Sequence, residues 1–219
     1  MKAKSAVEKV LNLASVVRTD KPHISNSYLS TLKRALIGDP QFFGSEHFLT
    51  FGTEHHKRAL QPHEAPTVLD RDEDLCVNMS GSFRADERVA KILRGAETEV
   101  ECTFIYRGAL ILLYFDIRKA TKVWDLKGTG CYDEKDFMKK AREFDYFRQC
   151  SLYLQAPGVK EFEFIGQAKK VEGHPLFFLN VLDYPLLLKE GKEELDHLID
   201  VHLVLRKHYE KRKRDGKAN

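Results

Sequence analysis

Tyr114-Phe115-Asp116-Ile117 and, after a short turn, Trp124-Asp125-Leu126-Lys127 are the segments whose reading decides the fold. If residues 109–117 and 122–127 are antiparallel strands turning about Ala120-Thr121, Asp116 falls opposite Asp125. Side chains alternate along a strand, so Lys127 points the same way as Asp125, while Leu126 points away and leaves its carbonyl near the carboxylates. Two like charges facing each other across a strand pair destabilise it, and a divalent cation between them removes that penalty. Asp116, Asp125 and the Leu126 carbonyl offer hard oxygen ligands of the kind Mg²⁺ or Mn²⁺ takes. Lys127 adds a fixed positive charge that can hold a water or stabilise charge developing on a phosphate.

The same triplet on an ordinary strand would be a solvated face. Its neighbours argue otherwise: Leu110-Ile-Leu-Leu-Tyr-Phe115 has little polar alternation and predicts a strand covered on both sides. Charges at the end of a buried strand require partners.

The chain has 219 residues, 42% of them hydrophobic, enough for one sizeable core in a single domain. A net charge of +3 gives no global field for a polyanion. Any basic surface is local: Lys139-Lys140-Ala-Arg142, Lys169-Lys170, or the tail from Arg206 to Arg214, which reads more economically as a solvated helix end than as a phosphate contact. Cys76, Cys102, Cys131 and Cys150 show no zinc-ligand spacing and read as reduced thiols of a cytoplasmic protein. The first residues lack the apolar run of a signal peptide, and no segment approaches the length of a membrane span.

Apolar spacing predicts a leading helix over residues 4–17 and, after a Ser25 cap, a helix over 26–37; together, residues 1–40 form an N-terminal elaboration. A catalytic core over 48–182 follows. It starts with a helix entered at Gly52-Thr53 and carrying His55 and His56, then a loop over 61–70 and a helix over 84–94 with Val89, Ile92 and Leu93 on one side. Strands are expected at 98–106, 109–117 and 122–127, with Arg107-Gly108 as the first turn. A long helix over 133–155 would turn Phe137, Ala141 and Phe144 to the sheet. Two strands, Phe162 to Lys169 and Leu176 to Leu182, and a helix over 186–210 complete an α/β chain with a central mixed sheet.

Other residues extend the chemistry. Paired histidines on a polar helix are mostly surface residues, but a neutral imidazole would complete a site made of two carboxylates and a carbonyl, and His56 is the candidate. Tyr146, Gln149 and Tyr153 share a helical face. A glutamine on an apolar stripe needs partners: it binds a phosphate or a flipped end base, or it satisfies an unpaired backbone group. Glu99 and Glu101 share a face of the preceding strand. One of them, with Glu99 as the accessory candidate, is placed to reach the metal through water, unless that strand is simply a solvated edge.

Phe51-Gly52-Thr-Glu-His-His56, Gly108-Ala-Leu-Ile-Leu-Leu-Tyr-Phe-Asp116, Val123-Trp-Asp125-Leu-Lys127-Gly-Thr129 and Tyr146-Phe-Arg-Gln149-Cys-Ser-Leu-Tyr153, in this order, resemble the RecB-like branch of the PD-(D/E)XK nuclease superfamily. Within it they are most similar to the phage-type exonuclease VIII (RecE), YqaJ and lambda-exonuclease group, over nearly the whole chain. The glycine or arginine usual just ahead of the first acid is absent. The resemblance implies a restriction-endonuclease-like core and Mg²⁺- or Mn²⁺-dependent hydrolysis of DNA at linear duplex ends, commonly 5′ to 3′ in phage recombination. It also implies a ring-shaped homo-oligomer and a single-strand annealing protein as partner. His56, Asp116, Asp125 and the Leu126 carbonyl would bind metal, Lys127 would position water, and Gln149, Tyr153 and Tyr146 would lie on the substrate side. An iron-sulfur cluster, which a related branch holds with cysteines flanking the core, is not expected, because these four lie inside it. A restriction-type endonuclease and a non-cleaving DNA- or partner-binding protein on the same fold are the alternatives.

Overall fold

The computed structural model describes residues 22–38 and 46–215, so the helix expected over 4–17 lies outside the described residues. Helix α1 spans Asn26–Ile37 and is capped by Ser25, whose side chain accepts the Tyr28 N–H. Helices α2 (Glu46–Leu60), α3 (Glu73–Ala85) and α4 (Glu87–Leu93) precede three strands, β1 (Glu97–Tyr106), β2 (Ala109–Lys119) and β3 (Lys122–Thr129). Helices α5 (Glu134–Glu143) and α6 (Tyr146–Tyr153) follow, then β4 (Glu161–Ala168), β5 (Leu176–Asn180) and α7 (Pro185–Arg214). The strands form one five-stranded sheet in sequence order, antiparallel except for the β3–β4 pair. The expected mixed sheet flanked by helices is present. Among the described residues no helix is long and apolar enough to cross a membrane.

Two apolar layers sandwich the sheet. On one face Phe104, Ile111, Leu113, Phe115, Phe162 and Phe164 pack with α5, α6 and α7; on the other Ile117, Trp124, Leu126 and Ile165 pack with Leu60, Phe83 and Val89 from α2, α3 and α4. Helices α6 and α7 approach so closely at Gly191 that a Cβ there would collide with the Phe147 backbone.

Four expectations need correction. The helix bearing the histidines begins at Glu46, six residues before Gly52, and Gly52 lies in its interior. Helix α3 forms where the sequence predicts no element, although Cys76, Met79 and Phe83 are buried at helical spacing along it; the helix expected over 84–94 is α4, and Arg84 and Ala85 instead end α3. The long helix expected over 133–155 is broken: Asp145 takes φ +57°, Phe144 is 51% exposed rather than facing the sheet, and the chain turns between α5 and α6. That turn lets α6 bury every residue from Phe147 to Tyr153, which an amphipathic continuation of α5 could not do. Finally, β2 is covered on both sides only near its end. Ile111, Leu113 and Phe115 are buried, whereas Tyr114 is 49% exposed and its hydroxyl donates to Glu101 on the neighbouring edge strand.

Candidate metal centre at a strand fork

The β2–β3 hairpin has the expected register, pairing Lys119 with Lys122, Arg118 with Val123 and Ile117 with Trp124. The next step of that register sets Asp116 across from Asp125, but the ladder stops there: β3 continues beside β4, and β2 is joined further along by Ile24, which bridges to Ile111. Side chains satisfy backbone groups in the gap. The Leu126 N–H donates to Asp116 Oδ2 at 2.7 Å, and the Tyr153 hydroxyl donates to the Tyr114 carbonyl at 3.2 Å.

A second irregularity lies across the other edge of β2. The β1–β2 register brackets Glu99 and Asp116 between the pairs Thr98–Ile117 and Val100–Phe115, so those two acids face each other. Glu99 has φ +53°, a conformation uncommon outside glycine and asparagine. The faces change there: Val100 and Phe115 pack toward α6 and α7, whereas Ile117 packs toward α2–α4 and the Thr98 hydroxyl donates to the Leu60 carbonyl. Strict alternation would keep Thr98 and Val100 on one face. Glu99, Asp116 and Asp125 thus lie in a row across three strands, at the point where the sheet loses its regularity.

Helices on the two faces supply the rest. From α2, His56 Nδ1 comes 3.4 Å from Asp116 Oδ2. His56, Glu99 and Asp116 offer ligand atoms all within 4.8 Å of one another. From α6, Gln149 Nε2 donates to Asp125 Oδ1 at 2.7 Å, while Lys127 Nζ sits 2.7 Å from Asp125 Oδ2. Tyr146 stacks on Phe164 with ring centroids 4.8 Å apart, and Lys127 Nζ lies 5.6 Å over the Tyr146 ring. All eight side chains singled out from the sequence therefore converge on the fork. Asp125 differs from expectation in being held by Lys127 and Gln149, and the tight donor cluster contains Glu99 in its place.

The electrostatics fit a cation. Burial raises Asp116 and Asp125 to about 6 against the opposing charge of Lys127. Glu99 rises to about 7 through burial and the neighbouring Asp116, Asp125 and Glu64. Lys127 is held above its usual range by Asp125, Tyr146 and Asp116, which outweigh its desolvation, so it keeps its charge. His56 is pushed down to about 4 by burial and by Lys127, against Asp125 and the Leu126 carbonyl, so it presents a neutral imidazole. Three carboxylates share one lysine and a neutral nitrogen donor. A divalent ion fits this donor set and would balance its charge. Glu64, an acid between Pro62 and Pro66 just after the histidine helix, is the one charged neighbour of Glu99 here that the sequence does not mark as a candidate.

The neighbouring His55 is fully buried and does different work. The Gln167 amide donates to the Met79 carbonyl at 2.8 Å and to Ser82 Oγ at 2.9 Å, which fixes its oxygen toward His55 Nε2, 2.8 Å away. His55 Nε2 is therefore the donor, and the bond ties α2 to β4.

No family model matches the sequence, and no curated protein matches it. Among solved structures, the fold is similar to a "putative exonuclease" from Eubacterium rectale, with a TM-score of 0.63 at 16% identity, covering 100% of this chain and 89% of that one. SSO0001 aligns with a TM-score of 0.42 at 14% identity, over 90% of this chain and 84% of that one. The chain shares the mixed α/β fold of the first of these structures.

Proposed function

We propose that this protein is a divalent-metal-dependent deoxyribonuclease of the RecB-like PD-(D/E)XK type, acting as an exonuclease on the ends of linear duplex DNA. The observation that carries the reading is the meeting of His56, Glu99, Asp116, Asp125 and Lys127 at the fork between β2 and β3. His56, Asp116, Asp125 and the Leu126 carbonyl are the proposed ligands for Mg²⁺ or Mn²⁺, with Glu99 joining them directly or through water. When bound, the cation supplies Lewis-acid polarisation of phosphate oxygens. His56 contributes a neutral nitrogen, and the carboxylates fix the site's position. Gln149 orients Asp125 through its amide, and Tyr153 keeps the fork open by holding the Tyr114 carbonyl. Lys127, charged and beside Asp125, holds the attacking water or stabilises the charge that builds on the phosphate in the transition state. Tyr146 lies beneath the Lys127 ammonium and limits its movement. The RecE-like resemblance supports 5′ to 3′ resection in phage-type recombination, a homo-oligomeric ring and an annealing partner as the finer reading.

The test is digestion of matched linear and circular duplex DNA by the purified chain with Mn²⁺ or Mg²⁺. Loss of linear DNA alone supports an exonuclease, and nicking or linearisation of circles supports the endonuclease alternative. Lys127→Ala lowers the rate by about 10²–10³-fold, the usual cost of removing one transition-state charge contact. If every substrate stays intact with either metal, the enzyme reading is wrong.

A further inference from the structure

Helix α6 is short, and little in its own chain fixes where it lies. It has 8 residues, follows the left-handed Asp145 and receives no side-chain cap from it, so its place depends on contacts rather than on continuity with α5. Opposite faces carry those contacts. Tyr146, Gln149 and Tyr153 face the fork, where Gln149 donates to Asp125 and Tyr153 to the Tyr114 carbonyl. Arg148 and Ser151, on the other side of the helix, face away from it. Ser151 Oγ lies 3.1 Å from the Leu188 carbonyl of α7, and the Arg148 guanidinium reaches α1.

Arg148 is 1% exposed. Its Nη1 donates to Asn26 Oδ1 at 2.9 Å and its Nη2 to Ser30 Oγ at 2.7 Å. Asn26, Ser30 and Lys33 recur along one face of α1, and Lys33 holds both Asp145, at 2.6 Å, and Glu194 of α7, at 2.8 Å. The start and the back of α6 are thus tied to the same face of α1. An apolar side chain of similar size would fill this space with no charge to bury. What the guanidinium adds is direction: two hydrogen bonds fix α6 along α1, where apolar packing alone would let it slide. That placement matters at the fork, because a shift of about 1 Å takes the 2.7 Å Gln149–Asp125 bond out of range.

We propose that Arg148 is a positioning residue for the metal centre: by tying α6 to Asn26 and Ser30 it sets Gln149 on Asp125, which makes α1 part of the site's support. This rests on reading the fork as a metal centre. With Asp125 Oδ1 held by Gln149, Oδ2 stays turned to Lys127, so the ligand keeps one orientation only while α6 keeps its place.

The experiment uses the full chain with Asn26→Ala and Ser30→Ala together, which removes both Arg148 acceptors and leaves Arg148, Gln149 and the residues of the fork as they are. The Gln149 side-chain amide is followed in ¹H–¹⁵N spectra as the pair of signals missing from Gln149→Leu, and Mn²⁺ affinity is measured by calorimetry. In the double variant the Gln149 signals should move toward the position of an exposed glutamine amide. Mn²⁺ should bind about 10-fold more weakly, the lower end of the loss when a group orienting a metal ligand is removed. Asn26→Asp with Ser30 intact keeps an acceptor for Arg148 and should match the wild type in both measurements. If the double variant does not fold, Ser30→Ala alone carries the same test with a smaller shift. Unchanged Gln149 signals overturn the proposal, as does wild-type Mn²⁺ affinity in a chain whose Gln149 signals have moved. A wild-type chain that binds no Mn²⁺ refutes the metal-centre reading instead, and the Gln149 signals then still decide whether Arg148 places that side chain.

Discussion

Asp116→Asn is expected to make the metal-free protein more stable at neutral pH, although Asp116 lies at the centre of the candidate site. The Asp116 carboxyl is raised from 3.8 to about 6 by burial, so the folded state holds its proton more tightly than the unfolded chain does. A group of this kind contributes stability below its unfolded pKa and loses it as the pH rises from about 4 to about 6. At 1.36 kcal/mol for each unit, ionising Asp116 costs the folded state about 3 kcal/mol at pH 7.5. Asparagine avoids that cost and can still accept the Leu126 N–H, but Lys127 loses part of its counter-charge, leaving a net gain of about 1–2 kcal/mol. For a chain of this size the gain corresponds to a rise in Tm of about 3–6 °C. The assay is thermal denaturation in EDTA at pH 7.5 and at pH 4.5, where wild-type Asp116 is largely protonated and the gain should disappear. Mn²⁺ should then reverse the order at pH 7.5, because about 100 times its Kd stabilises the wild type by about 2.7 kcal/mol and the variant far less. If Asp116→Asn melts at or below the wild type in EDTA at pH 7.5, burial does not penalise the ionised Asp116 carboxylate and the argument for a cation loses its footing.

Four further outcomes follow from local packing and contacts. His202 is buried, 2.9 Å through Nδ1 from the Tyr28 hydroxyl, and burial and Arg206 push it down to about 4. Its contribution is therefore present above about pH 6.5 and lost as the pH falls toward 4, so urea denaturation of His202→Leu should be less pH-dependent than wild type over that range. Gly191→Ala forces a Cβ into the Phe147 backbone and should cost about 3 kcal/mol or more by urea denaturation, whereas Gly52→Ala, with open space around it, should stabilise by about 0.5–1 kcal/mol. Arg148→Met removes the donors to Asn26 Oδ1 and Ser30 Oγ, at 2.9 and 2.7 Å, and leaves Glu194 with less counter-charge. A destabilisation of about 3 kcal/mol is expected, less whatever the methionine recovers in packing.

The hairpin was legible because two simple rules agree there. A two-residue turn at Ala120-Thr121 sets the register, and period-two alternation then puts Asp125 and Lys127 on one face. The four-residue spacing of Gln149 and Tyr153 was legible for a related reason, since both must reach the same fork from one helical face. Helix α3 escaped because Asp70, Asp72, Glu73 and Asp74 surround its start and its apolar positions are sparse. The break at Asp145 escaped because nothing local marks it. Asp145 is instead held from a distance, by Lys33 at 2.6 Å, and α6 is held through the buried Arg148.

Glu99 marks the limit more sharply. Period-two reasoning paired it with Glu101 on one face, and on a regular strand that would be correct. The left-handed backbone at Glu99 changes the faces of β1, so Glu101 meets the exposed Tyr114 while Glu99 meets Asp116. No residue type at 98–100 announces this, because the conformation is sustained by the packing of Thr98 and Ile117 on one side of the sheet and Val100 and Phe115 on the other. Residues held in such uncommon conformations concentrate at functional sites, where surrounding contacts sustain the strain. The acid that the sequence offers only as an accessory is thus the one that, with His56 and Asp116, completes the tight donor cluster, and the irregularity that hides this role is what brings it there.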